Sequence, residues 1–451
     1  MDSALSINIP GIAFSDEYKR NEILKKVRSI CGWHQDTFPG SQPVSLNKQK
    51  LESCIGKSLY VACEKTDGIR LLLYAVSRRV FLIDRNQKIN LVSMTLPSSY
   101  WDAVFDIKSS NKSGGISDVN KDFAERNSEL LNLDFSRDDH AKYFQQNTLL
   151  DGELVGDMVE IDGKKSQVLR YLIYDCICIE RDDTVRHLPL LERLKLAYTK
   201  VLAPKCKYDE HRALIQPPET PKFQIFLKDF FEVDEVPAIL NFSKRLPHPS
   251  DGIIFTPVNL SYMPGTCPKL LKWKPPHLNT ADFAAMFHSE ICSKDPRIFL
   301  ELLVGIRGIR ASVNCFCVPK GNVYNQLLDH YKLYGTSGQI VECYYDENAV
   351  YSKPMKSDDG NILWDKPFAT VQGGWVIERI RTDKEAPNDI NTVNRVFESI
   401  RDGINCDVLI SKIKRYRRSR KKYVIEYCNV PGFVYDSRRR NRERRANNRS
   451  S

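Results

Sequence analysis

An α+β fold in two unequal domains follows from three features of the chain. Short β-branched and aromatic runs, separated by turn signals, fill residues 58–85 and the stretch "NTLLDGELVGDMVEIDGKKSQVLRYLIYDCICIE" from Asn147. Segments with apolar spacing near 3.6 residues flank these antiparallel candidates. After Pro276 the character changes, and residues 283–378 hold mainly strand candidates, as a separate small β-domain does.

The elements follow in order. Residues 16–29 predict a helix, and the turn-rich "TFPGSQPVSL" comes after it. Within residues 58–85, Lys65-Thr66-Asp67-Gly68 interrupts two strand-like runs. It predicts a turn that holds the Lys65 amine free of the strands, because Asp and Gly are poor strand residues. Residues 109–139 are polar and Ser/Asn/Asp-rich, and predict an inserted loop. The stretch from Asn147 predicts three strands joined by hairpin-like turns. Residues 188–202 ("LPLLERLKLAYTKVL") and 235–246 predict helices, and "GIIFTPV" and "KLLKWK" predict strands. In the β-domain, "ASVNCFCV", "QIVECYY" and "GGWVIERI" predict further strands. A closing helix over residues 388–404 would place Val393, Val396, Phe397, Ile400 and Ile404 on one face. The expected boundaries are 1–282, 283–390, a closing helix at 391–410, and a tail at 411–451 expected to be largely disordered.

Composition narrows the function. The 451 residues are 42% hydrophobic and 27% charged, as in globular chains, and no run approaches the length of a membrane span. The start, "MDSALSINIPGIAF", lacks the basic start and small-residue cleavage site of a signal peptide, and no membrane partner is expected. The net charge of +10 is concentrated: residues 411–451 carry fifteen Lys/Arg and three acids, a net of +12, which leaves the body at −2. Such runs ("KIKRYRRSRKK", "SRRRNRERR") suit phosphate binding or nuclear import. Thirteen cysteines without a C-x-x-C pair read as reduced core thiols. The i, i+2 pairs Cys176/Cys178 and Cys315/Cys317 would point the same way into a core, and no zinc site is expected. The chain contains no internal repeat, Walker A loop or Rossmann fingerprint, so a nucleotide would need another kind of cradle.

K-x-D-G alone is a weak signal, but it has company in order. After Lys65-Thr66-Asp67-Gly68-Ile69-Arg70 come Asp151-Gly152-Glu153, Tyr171-Leu172-Ile173-Tyr174-Asp175, Ser250-Asp251-Gly252, Leu271-Lys272-Trp273-Lys274-Pro275 and Arg379-Ile380-Arg381-Thr382-Asp383-Lys384. Together they set a lone lysine, three carboxylates, a lysine pair and an arginine–lysine pair at expected strand ends.

This ordered set resembles the covalent nucleotidyltransferases, the superfamily of capping enzymes and ATP- or NAD-dependent ligases. "TFPGSQPVS", "KTDGIR", "LLKWKP" with "NTADF", and "RIRTDKEAPN" look like the mRNA capping guanylyltransferases in their short, fungal form. The resemblance covers roughly residues 38–404. It implies a nucleotidyltransferase domain of antiparallel sheets with flanking helices, then an oligonucleotide-binding (OB) β-barrel domain. It also implies Lys65 as nucleophile toward GTP, Arg70 at the sugar, Tyr174 stacked on guanine, and Lys228 at the guanine O6. Asp251 would contact Mg²⁺ or Mn²⁺, Glu153 a ribose hydroxyl or that metal, and Lys272 and Lys274 the α-phosphate. Asp282 would stand near the phosphates, with Arg381 and Lys384 on the β- and γ-phosphates. The implied partners are 5′-diphosphate RNA, a separate RNA 5′-triphosphatase and the phosphorylated repeat tail of RNA polymerase II, in the nucleus.

The chemistry asks for these residue types. An attacking lysine must lose its proton against an ordinary pKa of about 10.4, and neighbouring cations favour that loss. The same cations offset charge developing on the phosphate oxygens. Two alternatives stay open: an ATP-dependent polynucleotide ligase on the same lysine, and a basic-tailed RNA-binding module whose transferase core is inactive.

Overall fold

Helix α1 (Glu17–Cys31) begins where Asp16 accepts a hydrogen bond from the Lys19 amide, and it ends where Gly32 adopts φ 68°. In the computed structural model, residues 7–76, 78–110, 138–161, 163–214, 223–290, 297–418 and 434–435 are described. The chain forms two units: Met1–Val44, Ser53–Trp273 and Lys412–Ser451 in the first, Ser45–Glu52 and Lys274–Ser411 in the second.

The first unit carries two largely antiparallel sheets. Its strands are β1 (Ile12–Ala13), β2 (Gln42–Ser45), β3 (Tyr60–Thr66), β4 (Ile69–Val76), β5 (Arg79–Ile83), β6 (Ile89–Val92), β7 (Thr148–Ile161), β8 (Lys164–Cys178), β9 (Gln224–Leu227), β10 (Phe230–Glu232), β11 (Ser250–Pro257) and β12 (Thr266–Trp273), joined by the two-residue β18 (Val434–Tyr435). One sheet runs β1-β6-β5-β4-β7-β8-β9 and the other β18-β10-β3-β11-β12-β2. Helices α2 (Ser99–Ser110), α3 (Leu190–Ala197), α4 (Ala203–Ala213) and α5 (Val236–Ser243) accompany them. β4 is buried on both faces, which explains its unbroken "LLLYA". Leu71, Leu73 and Ala75 join one core with Ala197 and Val201, while Leu72 and Tyr74 join another with Leu24, Val27 and Ile30 of α1.

Several sequence expectations are corrected here. Lys65 is not in a turn. It and Thr66 end β3, β3 and β4 lie in different sheets, and only Asp67-Gly68 carries the chain across. The stretch from Asn147 forms two long strands, β7 and β8, because Asp151-Gly152 continues β7 instead of turning. Cys176 and Cys178 do not point the same way. Leu149 pairs with Cys178 and Leu150 with Cys176, so Ile177 is an extra residue and the two thiols enter different cores. Both are buried free thiols, as expected of core cysteines. The helix predicted at 188–202 gives way at Tyr198–Leu202 to a π-turn and resumes as α4. All but the edges of the 109–139 stretch lie outside the described residues.

The second unit is built on β13 (Thr280–Ser289), β14 (Ile298–Ile306), β15 (Ile309–Ala311), β16 (Ile340–Lys353) and β17 (Ala369–Ile380), in the order β15-β14-β13-β16-β17. Helices α6 (Asn322–Tyr334) and α7 (Ile390–Asp402) pack on it. Tyr324 and Leu327 of α6, and Val393, Val396, Phe397 and Ile400 of α7, join its core with Phe283, Leu302 and Trp375. The apolar face expected of the closing helix is therefore the one buried. Gly403, at φ 57°, stops α7, and a further helix, α8 (Cys406–Arg418), runs into the basic segment. The first residues of that segment are thus helical; 419–433 and 436–451 lie outside the described residues. No continuous strand closes the sheet into the expected barrel among the described residues. Instead of the predicted strand "ASVNCFCV", single bonds span residues 315–318: Cys317 N–H donates to Leu300 and Val318 N–H to Trp375.

Candidate active site

Pairing across the six-stranded sheet sets the lysine. Lys65 lies opposite Gly252 of β11, whereas Thr66 lies opposite Ser250, so Asp251 is the extra residue of a β-bulge. A bulge re-aims its extra side chain, and Asp251 Oδ1 accepts from Lys65 Nζ at 2.7 Å. Ile254 pairs with Cys63 on one side and Lys272 on the other, which puts Lys272 on the same sheet face as Cys63 and Lys65. Burial pushes the Cys63 thiol up to about 12, so it offers no competing nucleophile. Gly68 closes tightly on β7, where a Cβ would lie 2.4 Å from the Leu154 carbonyl oxygen. Its amide donates to Glu153 Oε1 at 3.3 Å.

The seven-stranded sheet supplies the opposing wall. Arg70 pairs directly with Glu153. Its guanidinium donates to both oxygens of Asp151, at 3.1 and 2.6 Å, with side-chain exposures of 5% and 0%. Asp151 also accepts from the Tyr262 hydroxyl at 2.7 Å, and that hydroxyl accepts from the Ser41 amide at 3.0 Å. The Phe38 and Tyr174 rings flank the guanidinium at 5.5 and 5.6 Å. Gly40 allows this closeness, since a Cβ there would meet both Phe38 and Arg70. Tyr174 is itself a bulge residue, because Asp151 pairs with Asp175 and Gly152 with Ile173. Burial raises the Glu153 carboxyl above its usual range, and the charges of Lys228, Lys65, Arg70 and Arg85 offset this only in part.

Lys228 is buried, and its backbone N–H donates to the Ile173 carbonyl beside Tyr174. Its Nζ donates to Glu64 Oε1 at 2.7 Å and to Thr66 Oγ1. Burial works against the ammonium, but Glu64 and further acidic neighbours outweigh it and hold the amine above its usual range.

β12 ends at Trp273, so Lys274 falls one residue past the strand and belongs to the second unit, as do Asp282, Arg381 and Lys384. Those last three come together. Asp282 accepts from Arg381 at 3.1 Å and from Lys384 Nζ, and Arg381 also bonds Glu342 at 3.3 Å and Asp383 at 2.8 and 2.7 Å. The Arg381 guanidinium holds the Asp383 carboxyl down at about 2.

Of the expected site residues, Lys65 meets Asp251, Arg70 meets Tyr174, and Arg381 and Lys384 meet Asp282; Lys272 shares a sheet face with Lys65, and Lys274 lies past the strand. Sequence reasoning did not single out Asp151, Tyr262, Phe38 or Glu64, whose side chains hold Arg70 and Lys228. "DGEL" and "FPGS" marked two of these positions, but nothing local marked the others. Among the described residues no group of three or more His, Cys, Asp or Glu could hold a metal ion. The fit to Mg²⁺ or Mn²⁺ rests instead on hard carboxylate oxygens beside Lys65, those of Asp251 and Glu153. Magnesium sites built on substrate phosphates ordinarily use one or two carboxylates.

A lysine amine held by a carboxylate, a second lysine on the same sheet face, and an arginine between two aromatic rings are the groups a covalent nucleotidyltransferase requires. The family models agree: "mRNA capping enzyme, catalytic domain" matches residues 5–107 and 118–276, and "mRNA capping enzyme, C-terminal domain" matches 279–410. The chain belongs to the mRNA capping enzyme family. It is 30% identical to the mRNA-capping enzyme subunit alpha of Schizosaccharomyces pombe, over 92% of this chain and 89% of that protein. It is 28% identical to the subunit alpha of Neurospora crassa, over 88% and 89%. The mouse mRNA-capping enzyme is 27% identical over 91% of this chain, which spans 55% of that longer protein. Among the described residues no helix is long and apolar enough to cross a membrane.

Proposed function

We propose that the chain transfers GMP from GTP to the 5′-diphosphate end of RNA through a covalent adduct on Lys65. The observation that carries this reading is the Lys65 amine, held by the bulged Asp251 with Lys272 on the same sheet face. The neutral amine attacks the α-phosphorus: the N–P bond forms, the nitrogen sheds one proton to solvent, the bond to the β-phosphate bridging oxygen breaks, and pyrophosphate leaves. A terminal oxygen of the RNA diphosphate then attacks the same phosphorus, the P–N bond breaks, and Lys65 regains a proton as the GpppN end is released. Lys272 favours the neutral amine and offsets charge on the α-phosphate oxygens. Arg70, pinned by Asp151, orients the sugar, and Tyr174 stacks on the base. A divalent ion held by Asp251 and Glu153 would neutralise phosphate charge. Lys274 belongs to the α-phosphate, and Asp282, Arg381 and Lys384 to the leaving pyrophosphate.

The second unit is read as an OB-type barrel. Support comes from residues 315–318, which bond to β14 on one side and β17 on the other. The name "subunit alpha" of the fungal relatives supports a separate partner, here an RNA 5′-triphosphatase. The basic C-terminal runs support a nuclear location. Docking on the phosphorylated polymerase tail belongs to the same reading.

The test is labelling with α-³²P-GTP or α-³²P-ATP and Mg²⁺, followed by denaturing gel. GTP should label the chain, Lys65→Ala should abolish the label, and the adduct should survive alkali but not acid, as a phosphoramidate does. Labelling by ATP alone, or a labelled Lys65→Ala protein, overturns the proposal.

A further inference from the structure

We propose that Glu64 is a positioning residue for base selection: acting through Lys228, its carboxylate makes the pocket accept a 6-oxo purine and reject a 6-amino one. This rests on the assignment of Lys228 to the base. Glu64 precedes Lys65 on β3, and its Oε1 accepts from Lys228 Nζ at 2.7 Å. The two side chains are 4% and 3% exposed. An ammonium so deeply buried persists only beside a counter-charge, and Glu64 is its ion-pair partner.

The donor count carries the selectivity. An ammonium has three N–H groups and no lone pair. Glu64 and Thr66 take two of them, which fixes the direction of the third. The Lys228 backbone N–H is tied to the Ile173 carbonyl, next in the chain to the bulged Tyr174, and on this proposal the third donor meets the base that stacks there. A 6-oxo purine meets it with lone pairs, whereas a 6-amino purine meets it with another donor. Were Lys228 neutral it would gain a lone pair and could accept from the amino group, and the discrimination would fall. Glu64 Oε2 is buried with no partner, so the contact to Lys228 is the polar tie of this side chain. Glu64→Gln therefore keeps the shape and one acceptor and removes the charge.

The experiment measures kcat/KM for adduct formation with GTP against 2,6-diaminopurine riboside triphosphate, and with ITP against ATP. In Glu64→Gln the preference for the 6-oxo member should fall about tenfold or more, mainly through KM, and Glu64→Asp should restore part of it. A folded Glu64→Gln protein with the wild-type preference overturns the proposal. If Glu64→Gln does not fold, Glu64→Asp decides: a reduced preference supports the inference and an unchanged one overturns it. Lys228→Met separates the two levels. If it retains the preference, the base assignment of Lys228 fails and this inference with it. If it loses the preference while the Glu64 variants keep theirs, the inference about Glu64 alone fails.

Discussion

Asp151→Asn removes one charge from the most deeply buried ion pair of the site. Asp151 is fully buried and holds two hydrogen bonds from Arg70 and one from Tyr262. Orphaning a buried charge costs about 3–5 kcal/mol. Asparagine keeps one acceptor oxygen, so the lower end applies, about 3 kcal/mol. Against a domain stability of about 5–15 kcal/mol, the variant stays folded at 25 °C with a reduced margin. At about 2–4 °C per kcal/mol, its Tm falls by roughly 6–12 °C. Urea unfolding followed by tryptophan fluorescence reads this as a lower midpoint at unchanged slope. GMP adduct formation, measured well below the transition, should fall as well, because the Arg70 guanidinium loses the clamp that aims it. Arg70→Met in the same background tests the cause. Without the guanidinium no orphan charge remains, so the double variant should cost less than the sum of the two. A loss under about 1 kcal/mol, or strict additivity with Arg70→Met, refutes the reasoning.

Three further outcomes follow from the geometry. Gly68→Ala places a Cβ 2.4 Å from the Leu154 carbonyl oxygen, so the backbone must move at a cost of about 1–3 kcal/mol; adduct formation should drop, and a fully active, equally stable variant refutes the close approach. Arg381→Ala should slow adduct formation on the order of 10²-fold and pyrophosphate-driven reversal equally; an equal loss in transfer from preformed adduct to RNA argues against a role at the pyrophosphate. Glu301, 1% exposed, accepts from His288, Lys356 and Ser312, and although burial opposes it these bonds bring its carboxyl down to about 2. A depressed carboxyl stabilises the fold above its ordinary range near 4.5, and that contribution disappears as pH falls through about 2. Glu301→Gln should flatten the acid limb of Tm between pH 5 and about 2, and an unchanged limb sinks the assignment.

The grouping of these side chains was readable because it follows residue type in chain order. Lys65, Arg70, Glu153, Tyr174 and Asp251 each stand in a short motif, and each lines the same site in the first unit. What could not be read is what depends on register. Tyr262 reaches Asp151 across 111 residues, and no local pattern in "NLSYMPG" announces it. Glu64 reads as an ordinary polar strand residue until Lys228, 164 residues away, arrives beside it. The Cys176/Cys178 expectation failed because strict alternation holds only in a strand without an extra residue.

A second extra residue of this kind, Asp251 in β11, sets the nucleophile. In a regular antiparallel pair, side chains alternate, and Asp251 would point away from the face that its neighbour Gly252 shares with Lys65. The bulge inserts Asp251 as an unpaired residue, freeing it from that alternation, so its carboxylate reaches the amine at 2.7 Å. Tyr174 is freed in the same way between Ile173 and Asp175, and its ring lies against Arg70. Tyr174 lies within β8 and Asp251 just inside the start of β11, so both side chains are aimed by paired backbone. A covalent nucleophile needs that rigidity, because a misplacement of about 1 Å can cost on the order of 10²-fold in rate. The glycine after Asp251 therefore serves the bulge, and the lysine it faces is positioned by a strand.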